Sequence, residues 1–564
     1  MILKKISKKI KVLFASIFII CSTLSFVAFT DNDFEITKNL DIYYTLFKEV
    51  NIFYVDDIDP AKLIKTSIDA MLKSLDPYTN YIPESQIEDY KFMTTGQYGG
   101  IGAMIRKQDD YVVISEPYKN FPAQKAGLKA GEIIISVDGD NIKGKTTSQV
   151  SDKLKGQPNT KLNLKIKRPG VEKNINVSVM REEIKLSSVP YYGLVSDSVG
   201  YIRLSRFTRD AGKDVKHALN SLKNKNIKSV ILDLRGNPGG LLIEAVKITN
   251  IFIPKGEDVV STKGKVSQWD KEYKAMFQTV DTKIPLVILV NRSSASASEI
   301  VSGALQDLDR GVVIGERSFG KGLVQTTRKL SYNAQLKVTT AKYYIPSGRC
   351  IQALDYTNRR EDGSVGKIPD SLITKFKTKN GRVVYDGGGI LPDIIRKSES
   401  YSPIAFSLVV KNLIFDYATK YALKHDSVPT PDKFVFNDND FKDFIEFLSD
   451  KDFDYETNSI KNLEDLIKSV KKEKYYKGNE ALFDTLEIKL AHDKNKDLQN
   501  FKTEIKELLT EEIMSRYYYQ DGRIQSMLLK DPIIDDAVKL LKDTTKYNSI
   551  LAGTCKDAQH KLEE

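Results

Sequence analysis

The fold of this chain is decided by residues 285–325, PLVILVNRSSASASEIVSGALQDLDRGVVIGERSFGKGLVQ. The apolar run at 285–290 predicts a buried strand. A polar turn follows, and residues 295–300 then predict the start of a helix that packs one apolar face inward. A second strand is predicted over 312–314, before a glycine-rich loop at 315–322. A serine-rich helix start and a lysine between two glycines indicate a nucleophile and its base.

Length and charge narrow the class of protein. With 564 residues the chain is too long for one hydrophobic core, so about two to four domains are expected. The net charge is +11, but no stripe of arginine and aromatic residues accompanies it, and we predict no nucleic-acid partner. The cysteines Cys21, Cys350 and Cys555 lie far apart without metal-binding spacing, so we predict no disulfide, metal or cofactor.

The first 30 residues are typical of a targeting segment. A lysine-rich start precedes an apolar run at 12–29, as in secretory signal peptides. The run approaches the length that spans a bilayer, and Ala28, Phe29 and Thr30 make a poor cleavage site, so a signal peptide and a membrane anchor both stay open. In either case we predict that the rest of the chain is extracytoplasmic, either periplasmic or anchored to the inner membrane.

Residues 35–92 predict a helical N-terminal segment, and residues 95–183 then change to short strands around a helix at 147–154. Glycines near the start of this second region let backbone N–H groups point at one spot, which makes a nest for a carboxylate. With the strand order, the pattern resembles a PDZ domain, in which the C-terminus of a ligand adds as a strand. The resemblance implies that a peptide C-terminus binds at Gly99, Gly100, Ile101 and Gly102.

Strands and helices alternate over residues 190–398, which predicts a layered α/β core. A strand at 229–234 ends in a glycine turn at 235–240. Such a turn can point N–H groups at an anion or can simply lead into a helix, and the residues alone leave both readings open. From 402 to about 545 the chain is predicted to be helical, with Phe406, Val409, Val410, Leu413 and Tyr417 on one packed stripe.

The candidate base follows from the shortage of histidine. A serine hydroxyl needs an adjacent base, and residues 285–325 contain no histidine. Lys321 can serve if burial lowers its pKa enough to make a neutral amine available. Gln325 can then hold the amine or the hydroxyl by hydrogen bonding. The alternative is a surface lysine in a glycine loop.

The same loop partly matches two other known sequence motifs. Residues 315–322 approach the phosphate-binding pattern G-x-x-x-x-G-K-[ST], but Gly322 replaces the hydroxyl residue that would bind Mg²⁺. Ser318 and Lys321 read S-x-x-K, yet the glycines on both sides of Lys321 argue against the helix that this motif needs. Both interpretations are therefore disfavoured.

Several long motifs, in order, resemble the carboxy-terminal processing peptidases, also called tail-specific proteases. They lie at 233–240, 291–300, 303–307, 319–325 and 344–349, and with the PDZ-like region the resemblance covers roughly residues 35–395. The family implies an α/β (α+β) multidomain fold, with a layered α/β protease core, an inserted PDZ domain and helical N- and C-terminal regions. One departure is Tyr78, where the family often has histidine after Asp-Pro.

The family uses a Ser-Lys dyad with 25 positions between nucleophile and base and a glutamine four residues later. Here this spacing selects Ser296 from four neighbouring serines, with Lys321 and Gln325 as its partners. The same resemblance implies an oxyanion hole made by the N–H groups of Ala297 and Gly239, with Gly240 as the alternative. A nucleophile at a helix N-terminus fits this chemistry, because backbone donors there stabilise developing negative charge.

We therefore predict an extracytoplasmic serine endopeptidase that binds substrate C-termini through its PDZ domain. Its expected partners are proteins or peptides with free, apolar C-termini, while membrane anchoring and homo-oligomerisation stay open. The alternative is a catalytically silent PDZ scaffold that binds C-termini at the cell envelope.

Overall fold

The computed structural model describes residues 31–360, 362–397, 400–491 and 493–555. The predicted targeting segment at 1–30 lies outside these residues. Within the described ranges, no helix has both the length and the apolar character needed to cross a bilayer. The chain divides into two compact units between Tyr81 and Ile82.

The described residues form helices and strands that are numbered in chain order. The helices are α1 (Asp31–Phe53), α2 (Pro60–Lys73), α3 (Ile87–Thr95), α4 (Pro122–Lys125), α5 (Thr147–Leu154), α6 (Ala211–Lys223), α7 (Leu242–Phe252), α8 (Ala297–Asp307), α9 (Pro403–Val410), α10 (Leu413–Lys424), α11 (Asp438–Phe447), α12 (Asn458–Lys472), α13 (Glu480–Leu490), α14 (Lys494–Asn500), α15 (Lys502–Leu528), α16 (Pro532–Lys542) and α17 (Thr544–Leu551). The strands are β1 (Asn80–Ile82), β2 (Gln97–Gly100), β3 (Ala103–Gln108), β4 (Tyr111–Pro117), β5 (Ile133–Val137), β6 (Asp140–Asn141), β7 (Lys161–Lys167), β8 (Ile175–Met180), β9 (Glu182–Lys185), β10 (Tyr191–Ser196), β11 (Val199–Arg203), β12 (Ser229–Asp233), β13 (Asp258–Gly264), β14 (Lys271–Lys274), β15 (Leu286–Val290), β16 (Val312–Gly315), β17 (Leu323–Lys329), β18 (Gln335–Tyr344), β19 (Leu354–Arg359), β20 (Val365–Lys367), β21 (Lys375–Lys377), β22 (Val383–Tyr385) and β23 (Ile394–Ile395).

The first unit contributes α1 and α2. Asp59 caps α2, because its Oδ1 atom accepts hydrogen bonds from the amides of Ala61 and Lys62. Pro60 occupies the first helical position, where its missing N–H costs nothing. Both helices fall largely within residues 35–92, where the sequence predicts a helical segment.

The PDZ-like region is an antiparallel sheet in the order β3-β4-β5-β7-β8, with α5 packed on its core. A separate pair joins β2 to β9, and Gly99 and Gly100 lie in this ladder opposite Glu183 and Glu182. The expectation that the glycines here form a nest of free N–H groups is therefore wrong for Gly99 and Gly100, because a later strand supplies pairing partners. Only Ile101 and Gly102 have turn geometry, and Gly102 has a φ of +71°.

The α/β core is a sheet in the order β10-β11-β12-β15-β16-β23, parallel except for β10. Alternate side chains of its strands face two helical layers. Along β12, Val230 and Leu232 pack with α6, α7 and α8, whereas Ile231 packs with α16 and α17. The last helices of the chain therefore form one layer of this core. Because adjacent parallel strands end at the same edge, the loops after β12, β15 and β16 meet there.

The helices α9, α10, α11, α14 and the first part of α15 enclose a third core rich in aromatic side chains. Here the predicted stripe is wrong for its first three residues, although Leu413 and Tyr417 are buried as predicted. Phe406, Val409 and Val410 are exposed, and Ile404 and Leu408 are buried instead. The stripe assumed one continuous helix, but Asn412 has a φ of +62° and separates α9 from α10, so the two helices bury different faces.

Candidate active site

The turn between β15 and α8 places Ser296 at the N-terminus of a buried helix. Ser296 has φ 55° and ψ −110°, a region that costs free energy for a residue with a side chain. Such strain persists only where surrounding contacts hold it, and it is common at active sites. Ser296 is partly exposed between the buried Ala295 and Ala297, so its hydroxyl lies at the surface of the turn.

The neighbouring serines have structural hydrogen bonds. Ser294 and Ser298 are fully buried. Their hydroxyls donate to the carbonyl oxygens of Leu234 at 2.8 Å and Asn237 at 2.9 Å. Both serines thereby tie the start of α8 to the loop after β12. This leaves Ser293, which is exposed, and Ser296 as the accessible hydroxyls of the predicted group of four.

A buried carboxylate joins the two predicted dyad residues. Glu299 Oε2 accepts the amide of Ser296 at 2.7 Å and the amide of Lys321 at 2.9 Å. Its Oε1 accepts the hydroxyl of Ser318 at 2.5 Å and the amide of Gly320 at 2.7 Å. The backbone nitrogens of Ser296 and Lys321 therefore lie less than two hydrogen-bond lengths apart. The structure brings the predicted nucleophile and base together, 25 positions apart in sequence.

Tyr343 joins the same two residues through their carbonyl groups. Its hydroxyl lies 2.6 Å from the carbonyl oxygen of Lys321 and 3.2 Å from that of Ser296. The flanking Gly320 and Gly322 leave the Lys321 backbone intrinsically flexible. Lys321 is therefore held through its N–H by one buried side chain and through its C=O by another.

Burial raises the pKa of the Glu299 carboxyl to about 7, although its four hydrogen-bond donors lower it. The folded protein therefore binds a proton at Glu299 at pH values where the unfolded chain would not. The stability that this proton contributes is lost as the pH rises through about 7.

The predicted oxyanion donors meet beside Ser296. A Cβ atom on Gly239 would lie 2.9 Å from the Ser296 Cβ and 3.0 Å from the Ala297 nitrogen, so only glycine fits there. The amide of Gly239, however, donates to Asn237 Oδ1 at 2.9 Å. The amides of Ala297 and Gly240 have no acceptor among the described residues. The assignment of Gly239 or Gly240 as the second donor stays a prediction, and this geometry favours Gly240.

Gln325 lies on β17, just after a register shift in its pairing with β18. Its side-chain amide donates to the Thr339 hydroxyl at 3.1 Å. Its predicted role in orienting Lys321 or Ser296 therefore stays a prediction. Lys321 itself is half-buried.

The predicted C-terminus site is a turn at the open edge of β3. In the part of the chain that the structure describes, β3 pairs with β4 alone, so its other edge is open. The carbonyls of Ile101 and Gly102 are held by the amides of Ala123 and Tyr118. Peptide binding by these residues stays a prediction.

Sequence reasoning assigned no role to Glu299 or Tyr343. Glu299 carries a local signal, since Ser296 and Glu299 spell the helix-start pattern [ST]-x-x-[DE], in which the acidic side chain accepts the first backbone amide. Tyr343 carries none, because it lies on β18, 47 residues from Ser296.

Comparisons with known proteins agree with this arrangement. The sequence profile of peptidase family S41 matches residues 198–358, that of the PDZ domain matches 113–168, and that of the probable PDZ-protease C-terminal helical domain matches 404–541. A carboxy-terminal-processing protease of Bartonella bacilliformis is 38% identical over 332 residues, which are 58% of this chain and 76% of the relative. A probable CtpA-like serine protease of Staphylococcus aureus is 38% identical over 317 residues, which are 56% of this chain and 63% of the relative.

Two solved structures are also similar in part. A photosystem II D1 C-terminal processing protease is 28% identical, covers 63% of this chain and 92% of its own, and has a TM-score of 0.34. The PDZ domain of a carboxy-terminal protease from Vibrio cholerae, solved with a peptide, is 29% identical over 16% of this chain and 99% of its own, with a TM-score of 0.15. With TM-scores this low, neither structure carries weight for the fold.

The fold and the sequence relationships define a serine-type peptidase with a PDZ domain, a layered α/β core and a C-terminal helical domain. The chain belongs to the carboxy-terminal processing peptidases of family S41. The predictions of the family, the fold class and the serine protease class are thereby confirmed.

Proposed function

We propose that the protein is an extracytoplasmic endopeptidase that captures a substrate's C-terminus in its PDZ domain and cleaves with a Ser296/Lys321 dyad. Ser296 Oγ attacks the peptide carbonyl carbon while the neutral amine of Lys321 takes the hydroxyl proton. The protonated lysine then gives this proton to the leaving amine, and an acyl-enzyme remains on Ser296. Water, activated by the same lysine, hydrolyses the ester and releases the second fragment.

The observation that supports the dyad most directly is the shared Glu299 oxygen. A single buried atom accepts the amides of Ser296 and Lys321, so the backbones of the two residues are fixed relative to one another. Catalysis by positioned groups depends on such pre-organisation. The free amide of Ala297, together with that of Gly240 or Gly239, supplies hydrogen-bond donors for the oxyanion.

Capture of the substrate tail is supported by the open edge of β3 beside the Ile101–Gly102 turn. An extended peptide added there gains main-chain hydrogen bonds, and its terminal carboxylate lies against the turn amides. We therefore expect substrates with a free C-terminus that ends in small or apolar residues.

A matched pair of substrates tests this proposal. One unfolded, apolar-tailed polypeptide is prepared with a free C-terminal carboxylate and again with a C-terminal amide, and fragments are followed by mass spectrometry. Loss of hydrogen bonds to a charged group should lower kcat/KM for the amide about 10- to 100-fold. Equal cleavage would contradict tail capture. Tight binding without any fragments would instead support the silent scaffold.

The extracytoplasmic location has its own test. Residues 1–35 are fused to a leaderless alkaline phosphatase, which is active only after export. We expect activity with the natural segment and none after the early lysines and the apolar run are replaced by polar residues. An inactive natural fusion would contradict the location.

Replacing Tyr343 with phenylalanine removes only the hydroxyl that joins the Ser296 and Lys321 carbonyls. We expect kcat to fall about 10- to 100-fold with KM unchanged, because a misplaced base slows the chemical step and leaves substrate binding intact. Tyr417→Phe is the control, since Tyr417 is also buried and its hydroxyl donates to the Asp440 carbonyl in the helical domain. If both variants keep full kcat, Tyr343 does not position the dyad.

A further inference from the structure

A cavity of about 540 Å³ lies where the PDZ domain, the protease core and the C-terminal helical domain meet. It is distinct from the dyad, and each of the three domains contributes to its wall. Residues that line it include Phe92, Met104, Phe121, Val189, Arg206 and Tyr519. Phe121 also touches the carboxylate turn, because a Cβ atom on Gly102 would lie 2.5 Å from the Phe121 Cβ. The cavity therefore begins where a bound C-terminus would end.

The two faces of β3 have different surroundings. Ala103 packs on the hydrophobic core of the PDZ domain. Met104 points to the opposite face, where it pairs in register with Glu116 of β4, and both residues line the cavity. Side chains of neighbouring strands in a sheet share faces, so a peptide strand added to β3 presents alternate side chains to the PDZ core and to the cavity.

With its carboxylate at the Ile101–Gly102 turn, a bound tail pairs its terminal residue beside Ala103, on the side of the PDZ core. The next residue back then faces the same side as Met104. We propose that the cavity is the subsite for the penultimate side chain of the substrate tail and selects a large apolar or aromatic residue there. This inference rests on the proposed capture of C-termini. It adds that the cavity recognises the penultimate residue of the captured tail.

The chemistry of the cavity favours such a side chain. Two of its acidic lining groups face basic partners, since Lys119 lies 3.8 Å from Asp521 and Arg523 lies 3.0 Å from Glu116. The rest of the lining combines aromatic, methionine and aliphatic side chains with the polar residues Ser187, Ser188, Ser205, Thr208 and Gln520. Arg206 lies exposed at the rim, where its guanidinium can stack on an entering aromatic ring.

The wall formed by the helical domain depends on a strained residue. Tyr519 interrupts α15 with φ 56° and ψ −153°, and Tyr519 to Asp521 then line the cavity. The Tyr519 hydroxyl accepts a hydrogen bond of 2.7 Å from the side-chain amide of Gln124 in the PDZ domain. A continuous helix would not have this kink. The strained backbone at Tyr519 thus allows the contact with Gln124 that closes this side of the cavity.

Binding of a peptide series to the full-length Ser296→Ala protein tests the assignment. The probes are fluorescein-labelled decapeptides with a free C-terminal alanine that differ only at the penultimate residue: alanine, leucine, phenylalanine or lysine. Fluorescence anisotropy should show that the phenylalanine peptide binds at least about 10-fold more tightly than the alanine peptide, because a large apolar surface is buried. The lysine peptide should show no such gain.

Two variants locate this preference. Met104→Asp puts a charge on the cavity wall that the PDZ domain contributes, and Arg206→Trp narrows the opposite side. In each variant the dissociation constants of the phenylalanine and alanine peptides should differ by no more than about 3-fold. Met180→Asp is the matched control, since Met180 is an exposed methionine on β8 that does not line the cavity, and it should keep the full preference. Equal binding of all peptides, or the same preference in Met104→Asp as in Met180→Asp, overturns the assignment. If amidated peptides bind as tightly as free acids, the capture of C-termini fails instead.

Discussion

Replacing Ser296 with alanine is expected to abolish cleavage of a tailed substrate while the protein stays folded. Removing the nucleophile of a serine peptidase lowers kcat by about 10⁴- to 10⁶-fold, and only weak catalysis by the oxyanion donors and binding remains. Ser296 is partly exposed, so the thermal unfolding temperature should change little. Kinetics and circular dichroism on the same preparation measure both outcomes.

Ser293→Ala is the matched control, because Ser293 is an exposed serine three residues away in the same turn. Its activity should equal that of the wild type. Lys321→Ala should be as inactive as Ser296→Ala, and Lys321→Arg should not restore activity, since a guanidinium stays protonated and cannot accept a proton. Activity that survives in Ser296→Ala or Lys321→Arg would exclude the dyad.

The sequence predicted the architecture well where the signals were local. Strong apolar runs gave β12, β15 and β16 nearly to the residue, and the glycine turn after β12 lies beside Ser296, as the family resemblance implied. The failures concern information that a single stretch does not contain. The pairing of Gly99 and Gly100 depends on β9, more than 80 residues later. The buried faces of α9 and α10 depend on the break at Asn412.

The candidate site shows the same division. The types and spacing of the chemical groups were visible in sequence, because a nucleophile and a base must be particular residues. The hydrogen bonds that hold these groups in place were not visible in the sequence. In the sequence, Tyr343 is an ordinary strand residue, and its contact with Ser296 arises only when β18 packs against the start of α8. The Gly239 amide is occupied by the side chain of Asn237, two residues away. Long-range packing, rather than local preference, decides which backbone groups remain free.

Glu299→Gln is expected to lower kcat at least about 100-fold above pH 7, where Glu299 is ionised, and by less at pH 6, with the fold retained. The glutamine side chain has the same shape, but one of its two terminal groups becomes a donor that faces backbone donors, and the negative charge is lost. Hydrogen bonds to charged groups contribute about 1.5–3 kcal/mol each, so weakening those to Ser296 and Lys321 loosens both dyad residues together. Steady-state kinetics over pH 6–9 measure the effect.

A carboxylate whose pKa is lowered by folding makes the protein more stable as the pH rises, whereas Glu299, whose pKa is raised, should make it less stable. Because the pKa of Glu299 is raised to about 7, the wild type loses the contribution of this bound proton as the pH rises from about 5 through 7, whereas the glutamine variant has no such proton to lose. The thermal unfolding temperature of Glu299→Gln should therefore improve relative to the wild type between pH 5 and pH 8. Glu244→Gln is the control, since Glu244 is equally buried but accepts hydrogen bonds from Gly212 and Lys247. If Glu299→Gln keeps wild-type kcat, the dyad does not depend on this carboxylate. If the unfolding temperatures of Glu299→Gln and the wild type differ by the same amount at pH 5 and at pH 8, Glu299 is ionised throughout this pH range.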